Sequence, residues 1–194
     1  MKKYIMFNGD IMKTDLRIIK TKNNLHDALI SLLKEKTFEN IKVSDICEKA
    51  LINRSTFYSH YNDKYELLLD SINTIKSNLL HDLEENNHNI DTREYYIELI
   101  KLLLNHIEEM REIYKPILLN NRNSIIMDIL LDVAKKDIEK RLENGNFKSK
   151  VPIDILTTFY LGAIIGIGID TLENNKYEKQ ELIDYIDILL PKNI

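Results

Sequence analysis

Residues 42–64, KVSDICEKALINRSTFYSHYNDK, hold two short helical patterns separated by a three-residue break, an arrangement that few folds accommodate. Val43, Ile46, Cys47 and Ala50 fall at i, i+3, i+4 and i+7, so four small or medium apolar side chains share one helical face. That face predicts a short supporting helix packed on a core. Leu51, Ile52 and Asn53 break the period, and Asn53 suits an N-cap because its side-chain oxygen can accept from free backbone donors of the next helix. The following helix, residues 54–60, has Phe57 as its one plainly apolar residue. One face anchors, and Arg54, Ser55, Thr56, Tyr58, Ser59 and His60 are left to meet something else. Two short helices joined by so short a turn have the spacing of DNA-binding helix-turn-helix pairs.

Ile46, Ala50, Ile52, Thr56, Phe57, Tyr58, Tyr61, Lys64 and Leu67, with Phe38 upstream, extend the pattern. Over residues 22–68 this order resembles the TetR family of one-component transcription regulators. Two positions depart from the family: Leu51 and Thr37 each stand where a glycine is usual. A non-glycine residue in so tight a turn implies either a negative φ or a strained left-handed conformation. The expected DNA-binding residues are Lys22, Lys42, Asn53, Arg54, Ser55, Thr56, Tyr58, His60 and Lys64. Arg54, Ser55 and Thr56 open the recognition helix and are expected to face base edges, Arg54 being suited to a bidentate guanine contact. The resemblance implies phosphate contacts by Tyr58, His60 and Lys64, with Lys22 and Lys42 as basic helpers.

The net charge of −4 over 194 residues suits a nucleic-acid ligand only when it is divided. Residues 1–64 carry 12 Lys and Arg against 8 Asp and Glu, a surplus of four positive charges, and the remainder carries 15 against 23. The basic part is the electrostatic footprint of a phosphate binder. Cys47 is the single cysteine, so no intramolecular disulfide can form and a reducing, cytoplasmic compartment is expected. On an apolar helical face it reads as a small buried hydrophobe and not as a redox sensor. The expected organisation is a leader over 1–18, with Met12 as an alternative start, a helix-turn-helix domain over 19–64, and an effector-binding and dimerisation domain over 65–194.

The rest of the chain predicts an all-α fold, with a three-helix amino-terminal domain joined by a long helix to a carboxy-terminal bundle. Leu25, Ala28, Leu29, Leu32 and Leu33 predict a helix over 21–36. Asp63 with Glu66 forms a capping-box pattern, and Leu68, Ile72, Ile75 and Leu79 carry a connecting helix over 63–84, ended by the polar stretch 85–89. Further helices are expected over 92–107, 111–119, 124–142, 154–173 and 179–190, with Pro191 closing the last.

Residues 155–169, ILTTFYLGAIIGIGI, contain no charge, yet fifteen residues fall short of the roughly 20 that span a bilayer, so no membrane association is expected. The run reads as a helix buried all round, whose Gly162, Gly166 and Gly168 admit another backbone closely. It is either the centre of its own domain or a subunit interface. The resemblance favours the interface, because TetR-like proteins dimerise through their last two long helices, and it points to Tyr160, Gly162, Gly166, Ile169, Ile183 and Ile186. Tyr96, His106, Tyr114, Thr158 and Tyr160 lie among aliphatic residues and could line a pocket for a small lipophilic effector, although a tyrosine in such a place is also an ordinary core residue. The carboxy-terminal portion is also loosely similar to regulators of dihydroxyacetone-kinase operons, in which this domain contacts a protein.

No phosphate-cradling glycine motif, paired histidine motif or converging carboxylates are present, so neither an enzyme, a cofactor nor a metal site is expected, and the histidines read as surface or capping residues. Three readings remain: a homodimeric repressor of a near-palindromic DNA operator released by a small molecule, a coactivator of the same fold working through protein contacts, and a structural helical bundle.

Overall fold

The structure, a computed structural model, describes residues 16–86, 92–144, 150–174 and 176–190. Among these residues it is helical throughout: α1 (Leu16–Glu35), a 3-10 turn (Phe38–Asn40), α2 (Val43–Ala50), α3 (Arg54–Tyr58), α4 (Lys64–Asn86), α5 (Thr92–Glu109), α6 (Arg111–Asn120), α7 (Ile125–Asn144), α8 (Ile153–Asn174) and α9 (Lys179–Leu189). The expected leader lies outside the described residues up to position 15, and its last three positions belong instead to α1. Residues 87–89 and Pro191, expected to end α4 and α9, also lie outside them.

α1, α2, α3 and the start of α4 enclose one apolar core. Leu25, Leu29, Phe38, Ile41, Ile46, Phe57 and Leu67 are its fully buried residues. It does not close at residue 64, because Ile117 of α6 and Ile126 of α7 belong to the same cluster. Two smaller clusters stabilise the larger domain by removing apolar area from water. One gathers Tyr95, Tyr96 and Leu142, and the other gathers Ile97 and Ile100 of α5 against Ile186 of α9 and Leu190. Helix α4 runs from the first core into the second domain, where α8 packs on α7 and α6 and α9 packs on α5.

α8 departs from expectation. It is not buried all round: Thr157 and Leu172 are its buried residues, while Ile155 and Phe159 are 56% and 67% exposed. Ile155, Phe159, Gly162 and Gly166, spaced four, three and four apart, form an exposed small and apolar stripe along one face. No atom outside each glycine's own helical surroundings lies within 4 Å of where a Cβ would stand on Gly162, Gly166 or Gly168. By length and composition alone this 22-residue helix would also suit a bilayer span.

Candidate nucleic-acid interface

Helix α2 opens with the Asp45 carboxylate accepting from the Lys42 N–H at 3.2 Å. It ends in a Schellman arrangement: the Ile52 N–H donates to the Cys47 carbonyl at 3.0 Å and the Leu51 N–H to the Glu48 carbonyl at 3.2 Å. This closure needs a left-handed residue at position 51, and Leu51 takes it, with φ 57° and ψ 44° and its side chain 91% exposed. Of the two conformations open to a non-glycine here, the strained one is adopted.

Phe57, fully buried, pins α3 to the core. Asn53, Arg54, Ser55, Tyr58 and Ser59 are exposed around it, and Thr56 and His60 are half-buried. Asn53 occupies the N-cap position with extended backbone but makes no side-chain cap bond, contrary to expectation; the first turn closes through its carbonyl, which accepts from the Phe57 N–H at 3.1 Å. Its amide is therefore not committed to the helix. Burial pushes the Cys47 thiol up, against a weak opposite pull from Arg54, which suits an inert core thiol.

Asp63 caps α4 as expected, its Oδ1 accepting from the Tyr65 and Glu66 N–H groups at 2.8 and 2.9 Å. The reciprocal half of the box is displaced by one residue, for Glu66 reaches the Asn62 N–H at 2.7 Å.

Lys64 does something the sequence did not predict. Its Nζ donates to the carbonyls of Phe38, Glu39 and Ile41 at 2.8, 3.1 and 2.8 Å, and it lies 4.6 and 5.7 Å from the ring centres of Phe38 and Tyr65. All three ammonium protons are engaged in closing the 3-10 turn onto α4, so none is left for a phosphate. Burial lowers its pKa while Glu39 and Asp45 pull the other way. Lys22 is also tied, 3.2 Å from Asp70 and 5.1 Å from the Tyr61 ring centre, whereas Lys42 is exposed.

Sequence reasoning missed the network behind α3. Tyr61, almost fully buried, donates to Asp70 Oδ2 at 2.5 Å, and His26 Nε2 lies 3.2 Å from both. His26 is therefore a part-buried member of the bond set joining α1 to the corner between α3 and α4, and not a surface histidine. Its partners stand 35 and 44 residues away, so no local pattern could announce it.

The five residues considered for an effector pocket are not gathered at one site. Tyr96 sits in the Tyr95 cluster with its buried hydroxyl unpartnered, and burial pushes its pKa up to about 12. His106 and Tyr114 bond to each other at 2.8 Å across α5 and α6, and burial pushes Tyr114 up to about 12. Tyr160 packs on the Ile97 cluster. Thr158 is exposed, its hydroxyl turned back onto the Asp154 carbonyl at 2.7 Å. An open groove of about 550 Å³ lies elsewhere, between α4 and α7, over Tyr65, Leu69, Ile125 and Ile129 and rimmed by Asp63, Glu66, Asp128 and Asp132. Among the described residues no group of histidine, cysteine and carboxylate side chains is placed to hold a metal ion.

Of the six residues expected at a subunit interface, Gly162 and Gly166 are exposed and Tyr160 and Ile169 half-buried. Ile183 and Ile186 are 6% and 5% exposed and face the chain's own core, so they are not available to a partner. The reason is the amphipathic choice in α9: Leu182, Ile183 and Ile186 face inward, and the outward apolar residues are Tyr185, Ile188 and Leu189.

Residues 25–70 match the family described as bacterial regulatory proteins of the tetR family, and residues 94–192 match a transcriptional regulator C-terminal region of the TetR type. The chain is 30% identical over 128 residues to the HTH-type dhaKLM operon transcriptional activator DhaS of Lactococcus lactis, a span covering 63% of this chain and 65% of that one. It spans less than two thirds of the length of the curated relatives it matches. A TetR transcriptional regulator structure from Streptococcus agalactiae 2603V superposes with a TM-score of 0.64 at 27% identity, over 94% of this chain and all of that one. The regulator FadR from Bacillus subtilis, solved with stearoyl-CoA, superposes with a TM-score of 0.57 at 17% identity over 89% and 98% of the two chains, a likeness of fold alone. With a helix-turn-helix pair whose recognition helix is anchored by one buried aromatic, and with both halves of the chain matched, the protein belongs to the TetR family of DNA-binding, non-enzymatic transcriptional regulators.

Proposed function

We propose that the protein is a homodimeric repressor that reads a near-palindromic operator through α3 and is released by a small lipophilic effector. The observation that carries the DNA reading is the exposed set Asn53, Arg54, Ser55 and Tyr58 around the buried Phe57. Arg54, Ser55 and Thr56 meet base edges, while Tyr58, His60 and Lys42 hold phosphates, with Lys22 a weaker helper because Asp70 already claims it. Lys64 is left out of the phosphate contacts on the geometry of its three bonds. One short recognition helix reads too few base pairs to find a site in a genome, so two copies are required, with their recognition helices about 34 to 36 Å apart. Both α8, through its glycine stripe, and the outward face of α9 offer surfaces for that pairing. Such a protein works in the cytoplasm, where its operator is.

The effector part of the proposal draws on the acyl-CoA ligand of the FadR neighbour. A coactivator working through protein contacts is the second reading, favoured by the similarity to a named operon activator and by the dispersal of the five polar candidates.

Selection of duplexes from a random library, followed by binding across a salt series, tests the DNA reading. Arg54→Ala is expected to weaken the selected duplex by about 1 to 3 kcal/mol and to relax sequence preference. Equal loss on selected and scrambled duplexes would take Arg54 off the base edges. A thermal-shift screen of acyl-CoA and other lipophilic compounds separates the two regulatory readings, since a ligand bound only to the folded state raises the melting temperature.

A further inference from the structure

The turn Phe38–Asn40 is tied to both halves of the molecule at once. Asn121, fully buried just beyond α6, accepts through Oδ1 from the Phe38 N–H at 2.9 Å and donates through Nδ2 to the Ile117 carbonyl at 2.8 Å. The Glu39 carboxylate accepts from the Ser124 hydroxyl at 2.8 Å and from the Ile125 N–H at 3.1 Å. A side chain from the amino-terminal module thus caps α7 of the larger domain, which places negative charge at the positive end of that helix. A fourth bond between the two halves runs from Asn120 Nδ2 to the Lys34 carbonyl at 3.2 Å. On its other side the same turn is held by Lys64, the first residue of α4.

The recognition pair also has apolar packing of its own, through Phe57, Ile46 and Leu29. What the hydrogen bonds supply is orientation. The chain joins the module to the larger domain through α4, and one helix alone leaves the module free to rotate about its attachment. Ile117 and Ile126 add apolar contact, which is non-directional. Hydrogen bonds between fixed partners weaken steeply with angle, so they define one setting. A displaced turn would leave a buried amide, a backbone N–H and the first turn of α7 without partners, which disfavours intermediate positions.

We infer that Glu39, Asn121 and Ser124 are positioning residues for operator reading: they fix the angle at which each domain pair presents its recognition helix, and so the spacing between the two helices of the dimer. The inference rests on the dimer reading above. Glu39 is well placed as a permanent acceptor. Its own backbone N–H is the largest influence holding its carboxyl below the usual range; burial opposes it, and Ser124, Ile125 and Lys64 each add a smaller downward pull.

The test compares binding to a duplex selected by the wild type from a random library with binding to one half-site cut from it, for wild type, Glu39→Ala, Glu39→Gln and Ser124→Ala. Glu39→Ala is expected to lose about tenfold on the full duplex relative to the half-site, within the usual range of coupling between sites. Glu39→Gln keeps an oxygen for the same two donors and is expected to recover most of that loss. Ser124→Ala removes the hydroxyl's bond to Glu39 and the longer one, 3.3 Å, that it accepts from the Ile126 N–H, but leaves Glu39 on the Ile125 N–H; it gives a smaller loss in the same ratio, which keeps the comparison open should Glu39→Ala fail to fold. A variant set that lowers only the melting temperature and leaves the full-to-half ratio unchanged overturns the positioning role. So does tighter binding by both Glu39 variants, the result expected from loss of a negative charge alone. A wild type without preference for the full duplex overturns the dimer reading and the positioning role together; a wild type with that preference and an unchanged ratio in Glu39→Ala overturns the positioning role alone.

Discussion

Leu51 carries a cost that its neighbours determine. The Schellman closure of α2 requires a left-handed residue, and a side chain there costs roughly 1 to 2 kcal/mol. Because its side chain is 91% exposed, little packing offsets the cost. Leu51→Gly relieves the strain but loosens the unfolded chain by about 0.5 to 1 kcal/mol, so a net gain of about 0.5 kcal/mol is expected in urea unfolding. Leu51→Asn, which tolerates this region without that entropic penalty, should gain at least as much. Lys64 shows the opposite case, a charged residue whose role is internal. Lys64→Met keeps the stem and removes three bonds to carbonyls, and is expected to cost about 1.5 to 3 kcal/mol of stability. The slope of DNA affinity against salt should stay at the wild-type value; a slope lowered by about one unit would return Lys64 to the phosphates.

At the scale of elements, α2 and the amphipathic core of α1 were legible because their apolar residues repeat at helical spacing, and α3 because one anchoring aromatic, Phe57, follows a three-residue break. The first turn of α1 was not, since Leu16, Ile18 and Ile19 are exposed and give no inward face to read. A 3-10 turn of three residues is too short to show a period, and its partners in the larger domain lie 83 to 86 residues away. The joint between α1, α3 and α4 was equally hidden, and it predicts a pH response. Burial first, and then Lys22, lowers the His26 pKa below 6.5 against the pull of Asp70 and Asp27. The folded state therefore binds fewer protons here than the unfolded chain. Stability from this group is present above the unfolded value of 6.5 and is lost as pH falls below it toward the folded pKa. His106, lowered mainly by burial, acts in the same direction. Urea midpoints measured from about pH 7.5 to about pH 5 should fall, and His26→Gln should flatten part of that fall. An identical profile in the variant would show that the joint tolerates a charged imidazole.

For the whole molecule, the proposed dimer needs a surface that a second copy can cover. The family resemblance points to α8 and α9 as a subunit interface, with Ile183 and Ile186 in it, residues that the chain uses for itself. Spacing alone could not tell which apolar stripe of α9 meets α5 and which meets solvent. The packed structure leaves Ile155, Phe159, Gly162 and Gly166 of α8 outward, together with Tyr185, Ile188 and Leu189 of α9. Three interior glycines at roughly 1 kcal/mol each are costly in a helix, and the chain's own packing gives no return, since open space surrounds the place of each missing Cβ. A closely approaching partner backbone would supply that return. Gly166→Leu is therefore expected to leave the monomer folded, and even to stabilise its isolated helix by helix propensity, while forcing the partner away. Light scattering should then report monomers at concentrations where the wild type is dimeric, and affinity for the full duplex should fall toward that for a half-site. A dimeric Gly166→Leu variant would move the interface off this stripe and leave the glycines of α8 without an account.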